Sequence, residues 1–245
     1  NDYFGRRGQL FAGTREIVDI CILHPIRSAW TAFSERDSRR TFALDESLEA
    51  VSLELSGLHL PYHYVDEGML ARLGLVTEQG MLQVGECRYR AVVLPLLYST
   101  RTLELLEEFA RAGGRVYSKA SRLPWLLEGR QAPELPKRLE PLVLSGDGDV
   151  ILAEMSEYSP CDIRILDESG REARDIHVMC REGRSGRIYF LANLDRDTDR
   201  VLKIKMKGRD PVCRWDLWEY KKHWIESLRE GSRRVFLLTL IGADA

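Results

Sequence analysis

Residues capable of chemistry gather in this sequence at the ends of its apolar, strand-like runs. His24, Arg27 and Trp30 follow the run VDICIL at 18–23, Asp66 and Glu67 close and follow YHYVD at 62–66, and Tyr98 follows AVVLPLL at 91–97. A fourth group, SKAS at 118–121, lies at the end of the next run. In an open parallel sheet the functional crevice lies beyond the carboxyl ends of the strands, so these positions mark a candidate substrate cleft or a surface on which a neighbouring domain docks. An imidazole, a guanidinium, carboxylates and aromatic rings can together hydrogen-bond to a polar ligand and stack on it.

Other constellations point to less. No G-x-G-x-x-G follows the first run, and no Walker loop or G-x-S-x-G elbow occurs, so no dinucleotide, phosphate-cradle or serine-hydrolase site is expected and no cofactor is assigned. Asn193, Asp195, Asp197 and Asp199 in NLDRDTD have the spacing of the first oxygen ligands of a calcium loop. Arg200 stands where the glycine should follow and Met206 where the late carboxylate should be, which leaves a polar hairpin turn. His59 and His63 are spaced like metal ligands, but Pro61 lies between them and no third ligand is near, so no metal is expected. Trp215, Trp218 and Trp224 could serve as stacking platforms; tryptophans around a strand are more often core, and the core is the reading adopted for them.

The elements that must hold the strand-end residues follow from periodicity. Residues 91–97 are apolar without a break, the pattern of a strand buried on both faces. Ser99 or Thr100 can then cap a helix with Leu103, Leu106, Phe109 and Ala110 on one face, closed by Gly113 and Gly114, before a strand from Arg115. Strand, helix and strand in that order make a right-handed βαβ unit. Residues 18–23 read as a central parallel strand, 26–44 as a long loop or short helix over the strand ends, 45–58 as a helix capped by Asp45, 62–66 as a strand, and 81–90 as a hairpin. Repeated prolines at 133, 136 and 141 and the turn SGDGDV at 145–150 weaken the signal after that. Seven β-favouring runs follow, at 161–166, 175–181, 187–192, 200–206, 212–216, 224–228 and 233–240, spaced as in a β-sandwich. The expected organisation is a lead-in over 1–17, a flavodoxin-like α/β domain with helices on both faces of a parallel sheet over 18–160, and an all-β sandwich over 161–245.

Composition bounds the function. With 36 basic and 38 acidic residues the formal charge is −2, and no segment concentrates one sign, which argues against a nucleic-acid or anionic-membrane partner. No apolar run reaches membrane-spanning length. Five widely spaced cysteines read as buried, reduced thiols and favour a cytoplasmic over a secreted setting. The first residue is Asn and the opening has the look of mid-protein sequence, which suggests a fragment or processed product and leaves the parent's location open.

The motifs YFGRRGQLFAG at 3–13, VDICILHPIRSAW at 18–30, YHYVDEGML at 62–70 and YRAVVLPLLYSTRTLELLEEFARAGGRV at 89–116 carry a resemblance. The first domain resembles the glutamine-amidotransferase-like domain, often called the trimerisation domain, that follows the catalytic barrel in α-L-rhamnosidase-like enzymes and bacterial β-galactosidases. HVMCR at 177–181, RIYFLANLD at 187–195 and CRWDLWEY at 213–220 resemble the sandwich that comes next. Class I amidotransferases would present a nucleophilic cysteine where this sequence has SKAS, so that chemistry is not expected. The paired carboxylates of glycoside hydrolysis belong, in the resembled enzymes, to a barrel that this chain lacks, and no catalytic residue is carried over.

The resemblance implies a non-catalytic accessory region of a glycoside hydrolase, with the upstream barrel, a carbohydrate substrate met indirectly and a homo-oligomer as partners. The alternative is a free-standing carbohydrate-binding or sensor module.

Overall fold

The computed structural model describes residues 2–35, 37–94, 99–118, 126–127, 130–144, 154–156, 159–184 and 186–242. The chain divides into two compact units, Val18–Leu55 with Leu60–Pro160, and Asn1–Ile17 with Ser56–His59 and Cys161–Ala245.

The first unit is built on β1 (Ile20–His24), α1 (Ile26–Ala32), α2 (Arg39–Gly57), β2 (Tyr62–Asp66), α3 (Glu67–Leu73), β3 (Ala91–Val93), α4 (Thr100–Arg111), β4 (Arg115–Tyr117), α5 (Leu135–Leu139) and β5 (Val143–Leu144). The five strands pair in the order β2-β1-β3-β4-β5, every pair parallel, which is the flavodoxin-like order. Buried on both faces, β1 is apolar from Ile20 through Leu23, whereas an antiparallel strand facing water would alternate. A three-stranded antiparallel meander, Gly74–Val76, Leu82–Val84 and Cys87–Tyr89, delivers the chain from α3 to β3.

Side chains alternate along each strand, so register decides which of them share a face. Cys21, Leu23, Val65, Val92, Val116 and Val143 meet Leu70 of α3, Leu103, Leu106 and Phe109 of α4, and Leu135 and Leu139 of α5 in one core. Each large side chain buried there contributes about 1.5–3 kcal/mol. On the other face, Tyr62, Tyr64 and Asp66 stand beside Ile20, Ile22 and His24. There α2 brings Ser52 Oγ to 2.7 Å from Tyr64 Oη, and Val51 and Leu55 are buried.

Helix α2 starts at Arg39, not at the expected Asp45. Asp37 accepts the Arg39 backbone N–H at 3.2 Å and pairs with its guanidinium, so the helix begins in a polar turn that carries no apolar period. Ser99 is the N-cap residue of α4, but its side chain makes no capping bond. The two glycines after α4 have different reasons to be glycine. Gly113 has φ of 93°, whereas Gly114 is packed so close to Phe109 that a Cβ there would lie 2.2 Å from the ring. The expected turn at 145–150, Trp125 and the end of the run at 95–97 lie outside the described residues.

The second unit contains β6 (Ile163–Leu166), β7 (Ile176–Gly183), β8 (Gly186–Asn193), β9 (Arg200–Lys207), β10 (Val212–Asp216), β11 (Lys221–Ile225), β12 (Leu228–Glu230) and β13 (Arg233–Leu240). One antiparallel sheet has the order β6-β9-β13-β12; a second joins β7 and β8 to the short strand Arg15–Glu16; β10 and β11 form a ribbon. Ile163, Ile165, Ile176, Cys180, Leu202, Ile204 and Phe236 from the two sheets close on one core, as in a sandwich. The expected run at 224–228 is two strands, because Glu226 and Ser227 separate a segment pairing with β10 from one pairing with β13. Residues 2–17 supply the helix Asp2–Phe11 and the strand paired with β7. Arg181 of β7 donates to Thr14 Oγ1 at 2.7 Å and to its carbonyl at 2.9 Å, with its guanidinium over the Phe11 ring. No helix among the described residues is long and apolar enough to cross a membrane.

Candidate functional site

The parallel sheet ends β1 on His24 and β2 on Asp66, paired in register, and α1 and α3 start immediately after them. Between these elements lies an open cleft of about 390 Å³ lined by His24, Ile26, Trp30, Tyr64, Asp66 and Met69. Trp30 is 71% exposed. The His24 and Tyr64 rings meet edge to face at 6.0 Å, and Tyr62 meets Tyr64 in the same way at 5.4 Å. Burial, opposed by the Ser52 hydroxyl and reinforced by Tyr62, holds the Tyr64 phenol above its ordinary pKa, so it stays neutral and can both donate and accept.

Asp66 has two roles. Its Oδ1 accepts the backbone N–H groups of Gly68 at 2.7 Å and Met69 at 2.9 Å, which makes it the N-cap of α3. Its Oδ2 has no hydrogen-bond partner among the described residues. A Cβ on Gly68 would lie 2.9 Å from Asp66 Oδ1 and 3.7 Å from Arg27 Nη2, so the glycine leaves room for carboxylate and guanidinium beside the same turn.

The structure therefore brings together His24, Trp30 and Asp66 in the cleft, while the Arg27 guanidinium lies by the turn at Gly68 and is not among the lining residues. Glu67 goes elsewhere. It is 1% exposed, and its Oε1 accepts the Ser99 N–H at 2.8 Å, tying α3 to the start of α4. Tyr98 lies outside the described residues. Tyr64, Ile26 and Met69 are the lining residues that sequence reasoning missed. Tyr64 was within reach of it, since it lies two residues before Asp66 on one strand and so shares its face.

No protein-family model matches the sequence, and no curated protein matches it either. Solved structures do match. Over 99% of its length the chain superposes on part of the rhamnosidase from Novosphingobium sp. PP1Y, with a TM-score of 0.65 and 16% identity. It shares its fold with a region of a glycoside hydrolase. A second match is alpha-L-fucosidase isoenzyme 2 from Paenibacillus thiaminolyticus, with a TM-score of 0.53 and 10% identity over 96% of the chain. The chain spans 23% of the rhamnosidase and 49% of the fucosidase.

Elsewhere within this shared fold the other constellations resolve as local structure. His63 Nδ1 lies 3.0 Å from Tyr89 Oη. His59, at φ of 59°, is buried with Nε2 3.1 Å from the Ala173 carbonyl and Nδ1 3.4 Å from Glu172 Oε2. No group of metal-binding side chains occurs among the described residues. The NLDRDTD segment bonds to itself, Asn193 donating to the Thr198 carbonyl and accepting from Asp195 N–H, while Arg200 pairs with Asp175 and Asp195.

Two expectations need correction. Trp218 and Trp224 are 76% and 75% exposed, not core, because the β10–β11 ribbon is open to water along most of its length. Trp218 lies against Tyr3 with ring centroids 4.7 Å apart, and Trp215 carries Lys222 over its face. Cys87 and Cys213 are exposed; only Cys21, Cys161 and Cys180 are buried.

Proposed function

We propose that this chain is a non-catalytic accessory region of a carbohydrate-active enzyme acting on O-glycosidic bonds. In this reading the α/β unit is an amidotransferase-like domain of the trimerisation type without the nucleophilic cysteine. Together with the sandwich it supports a catalytic barrel that precedes it in the whole protein and braces a homo-oligomer. Fold likeness to a rhamnosidase and a fucosidase supplies the class by analogy.

The observation that carries the accessory role is the state of the carboxylates at the cleft. Glycoside hydrolysis uses two, roughly 5–9.5 Å apart across the scissile bond. Here Asp66 caps α3 and Glu67 is buried against Ser99, so among the described residues the cleft lining presents one carboxylate, and that one is partly engaged. The test compares hydrolysis of aryl glycosides by this chain and by the chain extended upstream. Activity only in the longer protein is expected, and turnover by this chain alone would overturn the reading.

The exposure of Trp218 and Trp224, with Tyr3 stacked on the former, favours a second reading as a free-standing glycan-binding module. Glycan binding lost on Trp218→Ala, without any need for upstream sequence, would select it.

A further inference from the structure

We infer that the cleft at the carboxyl ends of β1 and β2 is a binding subsite for one pyranose unit of a neutral saccharide. Trp30 is its stacking platform, and Asp66 Oδ2 and the His24 ring are its hydroxyl partners. The inference rests on the carbohydrate reading of the chain and adds to it the ligand class and the residues that would hold it.

Size and chemistry both favour a sugar. A cleft of about 390 Å³ falls in the small-ligand range of roughly 300–1,000 Å³. Its hydrogen-bonding groups differ in kind: a carboxylate only accepts, whereas an imidazole ring carries an N–H that donates. No hydrogen bond joins the His24 ring to a described residue, and among the described residues Asp66 is bonded only through Oδ1. A ligand hydroxyl both donates and accepts, so a polyhydroxylated ring can satisfy both groups at once. Trp30 offers the other half of the requirement, an indole with 71% of its surface in water beside the apolar walls Ile26 and Met69. The C–H face of a pyranose covers such a ring while its hydroxyls point to the rim.

Competing ligands fit less well. An anionic ligand would face Asp66, and among the described residues the cleft lining has no glycine-rich cradle of backbone N–H groups. A flat apolar ligand would cover Trp30 but strip water from Asp66 and His24 without replacing it.

The test is two-dimensional NMR of the 245-residue chain titrated with the methyl glycosides of D-glucose, D-galactose, L-fucose and L-rhamnose at millimolar concentrations. At least one should shift the Trp30 indole N–H and the amides of α1 and α3. Trp30→Ala should weaken that binding about tenfold or more, and its exposure means that the fold should survive, which the amide spectrum checks. Asp66→Asn keeps the cap through its remaining oxygen but changes the free one, so it should weaken binding several-fold without destabilising α3. Trp218→Ala, in the other unit, should have no effect. The proposal is overturned if none of the four glycosides binds, or if binding survives Trp30→Ala or disappears with Trp218→Ala. A chain that neither binds nor hydrolyses would sink this inference and leave the accessory role standing. A chain that hydrolyses aryl glycosides while binding through Trp30 would sink the accessory role and leave the subsite standing.

Discussion

Replacing Gly114 by alanine should destabilise the α/β unit more than the same change at Gly113, although only Gly113 has a left-handed backbone. At Gly113 a Cβ meets open space, so the cost is the strain of a non-glycine residue at φ of 93°. That strain is about 1–2 kcal/mol, offset by about 0.4–1 kcal/mol from the stiffer unfolded chain, for a net loss near 1 kcal/mol. At Gly114 the Cβ would lie 2.2–2.4 Å from three ring atoms of Phe109. Carbon atoms prefer about 3.5–4.0 Å, so the ring must retreat by more than 1 Å. Phe109 is fully buried in the core that joins β1, β3 and β4 to α4, and the retreat has no free space to use. Overpacking of this kind costs about 1–3 kcal/mol, and the upper end is expected here. Phe109→Leu removes the colliding edge, so it should cost about 1 kcal/mol less in the Gly114→Ala background than in the wild type. Urea unfolding followed by circular dichroism measures the differences. Amide exchange at Leu105 and Leu106 reports the α/β unit by itself, since two units need not unfold together. Equal losses at the two glycines, or a Phe109→Leu cost that is the same in both backgrounds, would refute the packing argument.

Three further outcomes are expected. Asp66→Ala should cost about 1 kcal/mol through loss of the α3 cap while Asp66→Asn costs much less, and a urea titration distinguishes them. The β-rich unit should lose stability in acid. Burial, with nearby His59 adding to it, lowers the His177 pKa; burial opposes the Glu172 carboxylate, but His59 and Arg164 outweigh it and lower its pKa too. Both groups bind fewer protons folded than unfolded, so their stabilisation is complete above the ordinary values of about 6.5 and 4.5 and declines as pH falls, His177 acting first. A urea midpoint that stays flat from neutral pH downward, or an upper step that persists in His177→Asn, would contradict this. A thiol reagent should modify Cys87 and Cys213 in the native protein and reach Cys21, Cys161 and Cys180 only on unfolding, with the Cys21 thiol further quieted because burial pushes its pKa up.

The α/β unit was legible because its signals are local. The run at β1 and the apolar face of α4 each follow from side-chain period within one element, and the β-rich unit beyond residue 160 was legible in the same way from short runs separated by turn residues. What failed depends on how side chains are placed in three dimensions. The ribbon tryptophans look like core by residue type, but nothing in their own sequence says whether a face will be covered. Gly114 looks like half of a helix stop, while its reason is a ring five residues earlier folded back beneath it. Asp66 and Glu67 are adjacent carboxylates in sequence. Only their placement makes one the rim of a cleft and the other an anchor for Ser99.

The most direct test of the central claim is the rate of nitrophenyl glycoside hydrolysis by the purified 245-residue chain, run beside a longer protein that carries the proposed preceding barrel. An accessory region gives no turnover alone and full activity in the longer protein. Turnover by the chain alone, abolished by a single carboxylate substitution within it, would contradict the account.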